Sequence, residues 1–280
     1  MCCIIQFFFN DCFAITAVQH YTHSGVGGYD RTPFGNAHFF DFWIIINGIL
    51  PNSLIRMNLI SIFEIVAFIA GLIAYKTIKP TFLKPIVFLL AITVLNEYLV
   101  IPYLVSFKKG FNNYGYNVFS FIDMATWFYL FYKINTKPSI RYFIITGAIV
   151  SLSYSFIELT FLKDWRQLHT DSFRVYELII IFLSTYYFYQ VMLKQYHNIF
   201  GDSIFWLCAG CFLLHLILFI NLTMLNNGQY WNLKSSSFVQ HILQNIAIFC
   251  YYCCITIAFV SCYYSKYLET KQKSRQVLYK

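Results

Sequence analysis

Seven long apolar stretches occupy most of the chain between Leu59 and Tyr264. The hydrophilic connections between them are too short to hold a further domain. A helix needs roughly 20 apolar residues to cross a hydrocarbon layer of about 30 Å, and each stretch is close to that length. Because lipid cannot hydrogen-bond to the backbone, a spanning chain must form helices or a closed barrel. The stretches lack the alternation of polar and apolar residues that a barrel requires, which predicts an all-α, polytopic transmembrane bundle.

Seven transmembrane spans are predicted, and residues 57–265 are predicted to form one membrane domain. The expected spans are residues 59–78, 82–107, 114–132, 140–162, 173–193, 203–225 and 238–264. Composition agrees, since 59% of residues are hydrophobic, 11% are charged and the mean hydropathy is +0.57. A soluble globule of this length needs more polar surface.

The lysines and arginines are divided unequally between the two faces of the predicted bundle. Twelve fall on the face that carries the C-terminus and eight on the other. Cytoplasmic loops carry the excess of these residues, so the N-terminus is predicted outside and the C-terminus in the cytoplasm, in a bacterial inner membrane. Residues 266–280 are then a basic cytoplasmic tail. The net charge of +8 is expected to interact with anionic lipids, so the lipid bilayer is the predicted partner. No nucleic acid is expected to bind.

Residues 1–56 differ from the rest of the chain. Asp11 interrupts an early apolar patch that no Lys or Arg precedes, so the basic start of a signal peptide is missing. A later apolar run ends at Pro51 and is too short for a span, which is typical of an interfacial segment. The alternative is that translation starts at Met57, directly before the first span, and that the earlier residues have no folded role.

Several short motifs resemble an uncharacterised family of small seven-span inner-membrane proteins from bacteroidete-type bacteria. The resemblance depends on Asn96-Glu97 in the second span, Tyr116-Asn117-Val118-Phe119 and then Asp123 in the third, Phe205-Trp206 followed by Gly210 in the sixth, and Asn245 in the seventh. Family members usually have Glu where this chain has Asp123. The resemblance implies the architecture and the membrane, but it brings no established activity. Some members lie beside sensor-kinase genes, which suggests a sensor kinase as a membrane partner.

Ionisable and amide side chains are rare within the predicted spans, and they mark where function must be sought. The candidates for a polar pocket or proton path are Asn96, Glu97, Asp123, His215, His241 and Asn245. The alternative is that they hydrogen-bond between helices as structural contacts. Glu64, Glu158 and Glu177 lie nearer to span ends, where they are expected to reach toward the headgroups. No Lys or Arg is expected deep enough to pair with these acids, which leaves protonation, carboxyl–imidazole contacts or hydration.

Cysteine and histidine share one stripe of the sixth span. Cys208, Cys211 and His215 are spaced i, i+3 and i+7, so they are weak candidates for a soft-metal or thiol site. A cysteine pair inside a straight helix lacks the helix N-terminus that activates such pairs, and buried cysteine packs as a small apolar residue. Packing is therefore the expected role, and neither a metal nor a cofactor is predicted.

Three functions follow from this reading, and the leading one is a non-enzymatic sensory or scaffold protein in membrane signalling. The loops are short, and the sequence contains no recognised catalytic motif. The alternative is a proton-coupled transporter or ion-conducting pore that uses the buried carboxylates. The third is an intramembrane redox or metal-dependent enzyme. The sequence specifies neither a ligand nor an oligomeric state.

Overall fold

The computed structural model describes residues 59–78, 81–107, 112–193, 199–226 and 234–278, and every regular element in these ranges is helical. The α-helices are α1 (Leu59–Ala74), α2 (Lys84–Leu95), α3 (Ile101–Phe107), α4 (Asn112–Ile134), α5 (Pro138–Ile157), α6 (Thr170–Leu193), α7 (Ser203–Asn226) and α8 (Lys234–Leu278). Short 3₁₀ turns at Thr81–Leu83 and Ile199–Gly201 lead into α2 and α7. The proposed N-terminal segment 1–56 and the start at Met57 lie outside the described residues.

Two π-helical turns extend helices without breaking them. Asn96–Val100 joins α2 to α3, and Glu158–Leu162 continues α5. Each begins at a buried polar residue. Such turns are rare and frequently lie at functional sites. With the joined pieces counted as one, the described residues form seven helices, each overlapping one predicted apolar stretch.

Five of the helices are long and apolar enough to cross a membrane, which indicates a membrane protein and confirms the all-helical prediction. They cover Thr81–Leu104, Pro138–Leu162, Thr170–Leu193, Ser203–Met224 and Ile242–Ser265. The apolar part of α1, Ser61–Ala74, is shorter than a span, and α4 is long enough but more polar. Seven crossings and their orientation stay predictions.

The helices contact one another in an order that closes into a ring. Helix α1 packs on α2, α2 on α4, α4 on α5, α5 on α6, α6 on α7, and α7 on α8, while α8 also packs on α1. The interior between them is aromatic, and its largest fully buried side chains include Trp127, Tyr176 and Phe259. Because lipid is as apolar as these side chains, their packing, and not removal from water, holds the ring together.

Helix α8 is much longer than a membrane crossing. It runs 45 residues from Lys234 to Leu278, of which Ile242–Ser265 is the apolar part. At about 1.5 Å per residue it is about 67 Å long, more than twice a hydrocarbon layer of about 30 Å. The segment that the sequence predicted only as a basic tail is therefore helical through Leu278.

A glycine allows α7 and α8 to approach closely. A Cβ atom on Gly210 would lie 2.8 Å from the Cβ of Cys254 and 3.2 Å from the carbonyl oxygen of Tyr251. Both neighbours are rigid, so Gly210→Ala must push the helices apart. We expect it to lower the free energy of unfolding by about 1 to 3 kcal/mol, measured by reversible denaturation in detergent micelles.

Gly147→Ala is the matched control for this effect. A Cβ at Gly147 would meet only side-chain atoms, the nearest at 3.3 Å on Ile179. Alanine also favours a helix by about 1 kcal/mol over glycine, so the control is expected to be neutral or stabilising. Equal losses for the two variants would contradict the close-packing explanation.

Candidate functional site

A carboxyl and an imidazole meet in the interior of the ring. His215 of α7 and Glu177 of α6 are both fully buried, and Nδ1 of the histidine is in hydrogen-bond contact with Oε2 of the glutamate. A proton must lie between these atoms, because two lone pairs cannot face each other at hydrogen-bond distance without one. The other polar atoms, Glu177 Oε1 and His215 Nε2, have no hydrogen-bond partner among the described residues.

A second acid lies beside this pair. The hydroxyl of Tyr176 donates to Oδ2 of Asp123 at 3.2 Å, and Asp123 is close enough to His215 for electrostatic interaction. Tyr176 and Glu177 are consecutive on α6, so one turn of helix connects both contacts. We call Asp123, Tyr176, Glu177 and His215 the acid–imidazole cluster.

Aromatic rings enclose the cluster. The ring of His215 packs edge-on against Tyr176 at 5.3 Å and against Trp127 at 6.2 Å between centroids. Phe128 covers the other side of Tyr176 at 5.7 Å. Such walls keep the local dielectric low, and interactions among the enclosed charges are correspondingly strong.

A cavity of about 20 Å³ borders the cluster at Asp123. One water molecule needs about 10 to 15 Å³, so the cavity has room for one. Its polar lining includes Thr93 of α2 and Tyr251 and Tyr252 of α8. Asp123 is therefore the member of the cluster that borders a water-sized space.

The remaining predicted pocket residues lie elsewhere. Asn96 is buried at the first residue of the π-turn, and Glu97 beside it is half-buried. Asn245 is half-buried on α8. None of these three borders the cavity at Asp123. His241 lies on α8, but its side chain is outside the described residues.

The structure thus brings Asp123 and His215 together, with Glu177 as the acid that contacts the imidazole. Glu97 is near Glu64 of α1 instead, and the two carboxyls are close enough to repel each other. Glu64 is buried, and its Oε1 has no hydrogen-bond partner among the described residues.

Glu158 is paired with a lysine, and here the expectation that no Lys or Arg reaches the buried acids is wrong. Lys163 Nζ lies 2.5 Å from Glu158 Oε1. The same carboxylate accepts hydrogen bonds from the backbone N–H groups of Asp171 at 3.2 Å and Ser172 at 2.7 Å, in the first turn of α6. The prediction that the acids near span ends reach toward the headgroups is wrong for all three, since Glu64, Glu158 and Glu177 are 2%, 1% and 0% exposed. Glu158 therefore ties the end of α5 to the start of α6.

A set of hydrogen bonds joins the connection between α5 and α6 to helix α4. The amide nitrogen of Asn117, a fully buried residue, donates to the carbonyl oxygens of Trp165 and Gln167, each at 2.9 Å. His169 Nδ1 donates to Asn117 Oδ1 at 3.0 Å, and His169 Nε2 lies 2.9 Å from the hydroxyl of Ser120. Burial is the main cause that lowers the pKa of His169 to about 4.

The cysteine stripe is buried as well. Cys208, Cys211 and His215 all lie on the interior side of α7. No group of three or more His, Cys, Asp or Glu in the described ranges could hold a metal ion. Across the helix contact, Cys254 faces Gly210.

Sequence reasoning did not assign roles to several of these residues. Contacts between helices use Tyr176 and Ser120. The connection before α6 contains Lys163 and His169. The sequence carries a signal for Lys163 and His169, which is the concentration of polar residues between Lys163 and Arg174. Comparison with protein-family models, curated proteins and solved structures finds no match to the chain. The site is therefore interpreted from its own geometry.

Proposed function

We propose that this protein is a seven-span protein of a bacterial inner membrane, with its C-terminus in the cytoplasm, that serves as a non-enzymatic sensory or scaffold component in membrane signalling. The resemblance to the uncharacterised bacteroidete-type family is consistent with this proposal. A membrane partner such as a sensor kinase would receive the signal.

The observation that carries the proposal is the length of α8. Within the bundle, α8 packs between α7 and α1, and it continues as one helix to Leu278. A continuous helix is rigid along its axis, so a small shift in the bundle also displaces its far end. In the proposed orientation that end lies in the cytoplasm, where its residues 266–278 would contact the partner.

Site-specific crosslinking in native membranes tests this role. A photoreactive residue at position 270 is expected to capture a second membrane protein, because that position lies on the helical extension. The control is the same residue at Ile149, which is 61% exposed on the outer surface of α5. Capture of only lipid or of a second copy of this chain from position 270 would contradict the proposal.

A proton-coupled transporter is the second candidate, and the water-sized cavity at the buried Asp123 favours it. It predicts that Asp123→Asn abolishes a proton-driven flux in vesicles while the protein level stays unchanged. Loss of flux is also predicted for Glu97→Gln, because Glu97 is the other carboxyl of the candidate proton path, although it does not border the cavity. Unchanged flux in both variants would remove this candidate.

A further inference from the structure

We propose that the acid–imidazole cluster is a proton-binding site, in which Asp123, Glu177 and His215 hold protons jointly and exchange one with water in the adjoining cavity. The ligand is a proton, delivered by water. The inference goes beyond the signalling proposal because it does not depend on a partner.

Charge balance is the first argument. No lysine or arginine in the described part of the chain is paired with the cluster. With both carboxylates ionised and the imidazole neutral, the cluster would carry two negative charges in a low-dielectric interior. An uncompensated buried charge costs several kcal/mol, so protons are the available compensation. Two protons neutralise the cluster, but Asp123, Glu177 and His215 offer three groups to hold them.

Hydrogen-bond geometry places one proton between Glu177 Oε2 and His215 Nδ1, since those atoms are in contact. The proton that the neutral imidazole already carries can occupy this position. The two protons that neutralise the cluster then have three alternative positions, because Asp123, Glu177 Oε1 and His215 Nε2 can each take one. Groups that share protons in this way titrate as a unit, with midpoints that belong to the set.

The helices packed around the cluster contribute polar groups that interact with its charge. In the described residues they contribute no lysine or arginine that pairs with it. Helix α4 contributes Asp123, α6 contributes Tyr176 and Glu177, and α7 contributes His215. Cys211 of α7 and Tyr251 of α8 are further titratable groups, close enough to Tyr176 for electrostatic interaction. The phenol of Tyr176 keeps its own proton, since it donates to Asp123.

The cavity supplies the route for exchange. Asp123 borders it, while Glu177 and His215 do not. In the uptake step, one O–H bond breaks in a hydrated proton and one O–H bond forms on the Asp123 carboxylate. The electron pair of the broken bond stays on the water oxygen, and the cluster loses one negative charge.

Infrared spectroscopy of the full chain in lipid nanodiscs tests the proposal. Isotope-labelled aspartate separates the Asp and Glu carboxyl bands, and the sample is titrated from acid to alkaline pH. The wild type is expected to show a protonated aspartate band that disappears as pH rises and that Asp123→Asn removes. Glu177→Gln and His215→Gln are each expected to displace the midpoint of that band by about one pH unit, because the groups are coupled.

Asp202→Asn is the matched control. Asp202 also accepts a hydrogen bond from a tyrosine hydroxyl, that of Tyr187 at 3.0 Å, but it lies at the start of α7, away from the cluster. This variant is expected to leave the titrating band and its midpoint unchanged.

Two results would overturn the proposal. The first is a wild-type spectrum with no titrating protonated aspartate, and this needs no variant to fold. The second is an unchanged midpoint in folded Glu177→Gln and His215→Gln proteins, which would show that the groups do not hold protons jointly. Because the readout is spectroscopic, it is independent of the crosslinking result, so failure of either proposal can be distinguished.

Discussion

Replacing Glu158 with glutamine is expected to lower the free energy of unfolding by about 1.5 to 3 kcal/mol, because it removes the charge-assisted hydrogen bonds of a buried carboxylate. Lys163 keeps a second partner, since its Nζ also lies 3.3 Å from Asp171 Oδ2. Glu158 is 1% exposed, and its carboxylate meets Lys163 Nζ at 2.5 Å. The same group accepts the N–H groups of Asp171 and Ser172 at the start of α6, where a negative charge is favoured by the helix dipole. Glutamine has one oxygen and no charge, so it cannot satisfy both the lysine and the helix.

Reversible unfolding in detergent micelles measures this loss, and Asp164→Asn is its control. Asp164 also pairs with a cation, Arg166 at 3.9 Å, but the two side chains are 56% and 51% exposed. Exposed pairs contribute about 0 to 1 kcal/mol, so the control is expected to stay near wild type. Comparable losses for the two variants would show that burial of the Glu158 pair does not matter.

The positions of the helices could be predicted because the signal is local. A run of apolar residues as long as a membrane crossing can be recognised from one continuous stretch of sequence. All seven described helices overlap such runs. The helical extension of α8 was not visible in this way. Residues 266–278 carry many charges and no apolar run, and their helicity continues from the span before them.

The pairings could not be predicted, because they depend on which side chains face each other between helices. The sequence indicates Asp123 and His215 as candidates, but the acid in contact with His215 is Glu177. Helices α6 and α7 are consecutive and are expected to be neighbours, but the sequence does not specify that these two side chains face each other at the same depth. Asn117 belongs to a recognised motif, but its bonds reach residues about 50 positions away, at Trp165 and Gln167.

The contact between Glu158 and Lys163 could not be predicted from α-helical spacing, because a π-turn lies between them. In an α-helix, residues three or four apart share a face, and residues five apart do not. Here the π-turn lets the N–H of Lys163 donate to the carbonyl oxygen of Glu158 at 2.7 Å, five residues back. The two side chains then meet, although the regular period predicts no contact between them.

The second large effect is expected from pH, through His169. Its pKa is lowered from 6.5 to about 4, mainly by burial and further by the positive charge of Lys163, while Glu158 acts in the opposite direction. The unfolded chain therefore binds a proton near pH 6.5, and the folded chain binds it only near pH 4. His169 contributes its full stability above pH 6.5, and this contribution is lost as the pH falls toward 4. The loss is on the order of 3 kcal/mol, because each pH unit corresponds to about 1.4 kcal/mol.

The hydrogen bonds of His169 make the cause of this effect testable. In the neutral ring, Nδ1–H donates to Asn117 and Nε2 accepts from Ser120, whereas in the charged ring Nε2–H donates to the same hydroxyl. Ser120 can then donate to the carbonyl oxygen of Asn117 at 2.7 Å, so no hydrogen bond is lost on protonation. The penalty is therefore electrostatic. A His169→Gln variant retains an amide donor for Asn117 but cannot titrate. The difference in unfolding free energy between wild type and variant is expected to change between pH 6.5 and 4. Above that range the difference is expected to be constant. A difference that does not vary with pH would mean that His169 is accommodated in both charge states, and that its burial has no energetic consequence for the fold.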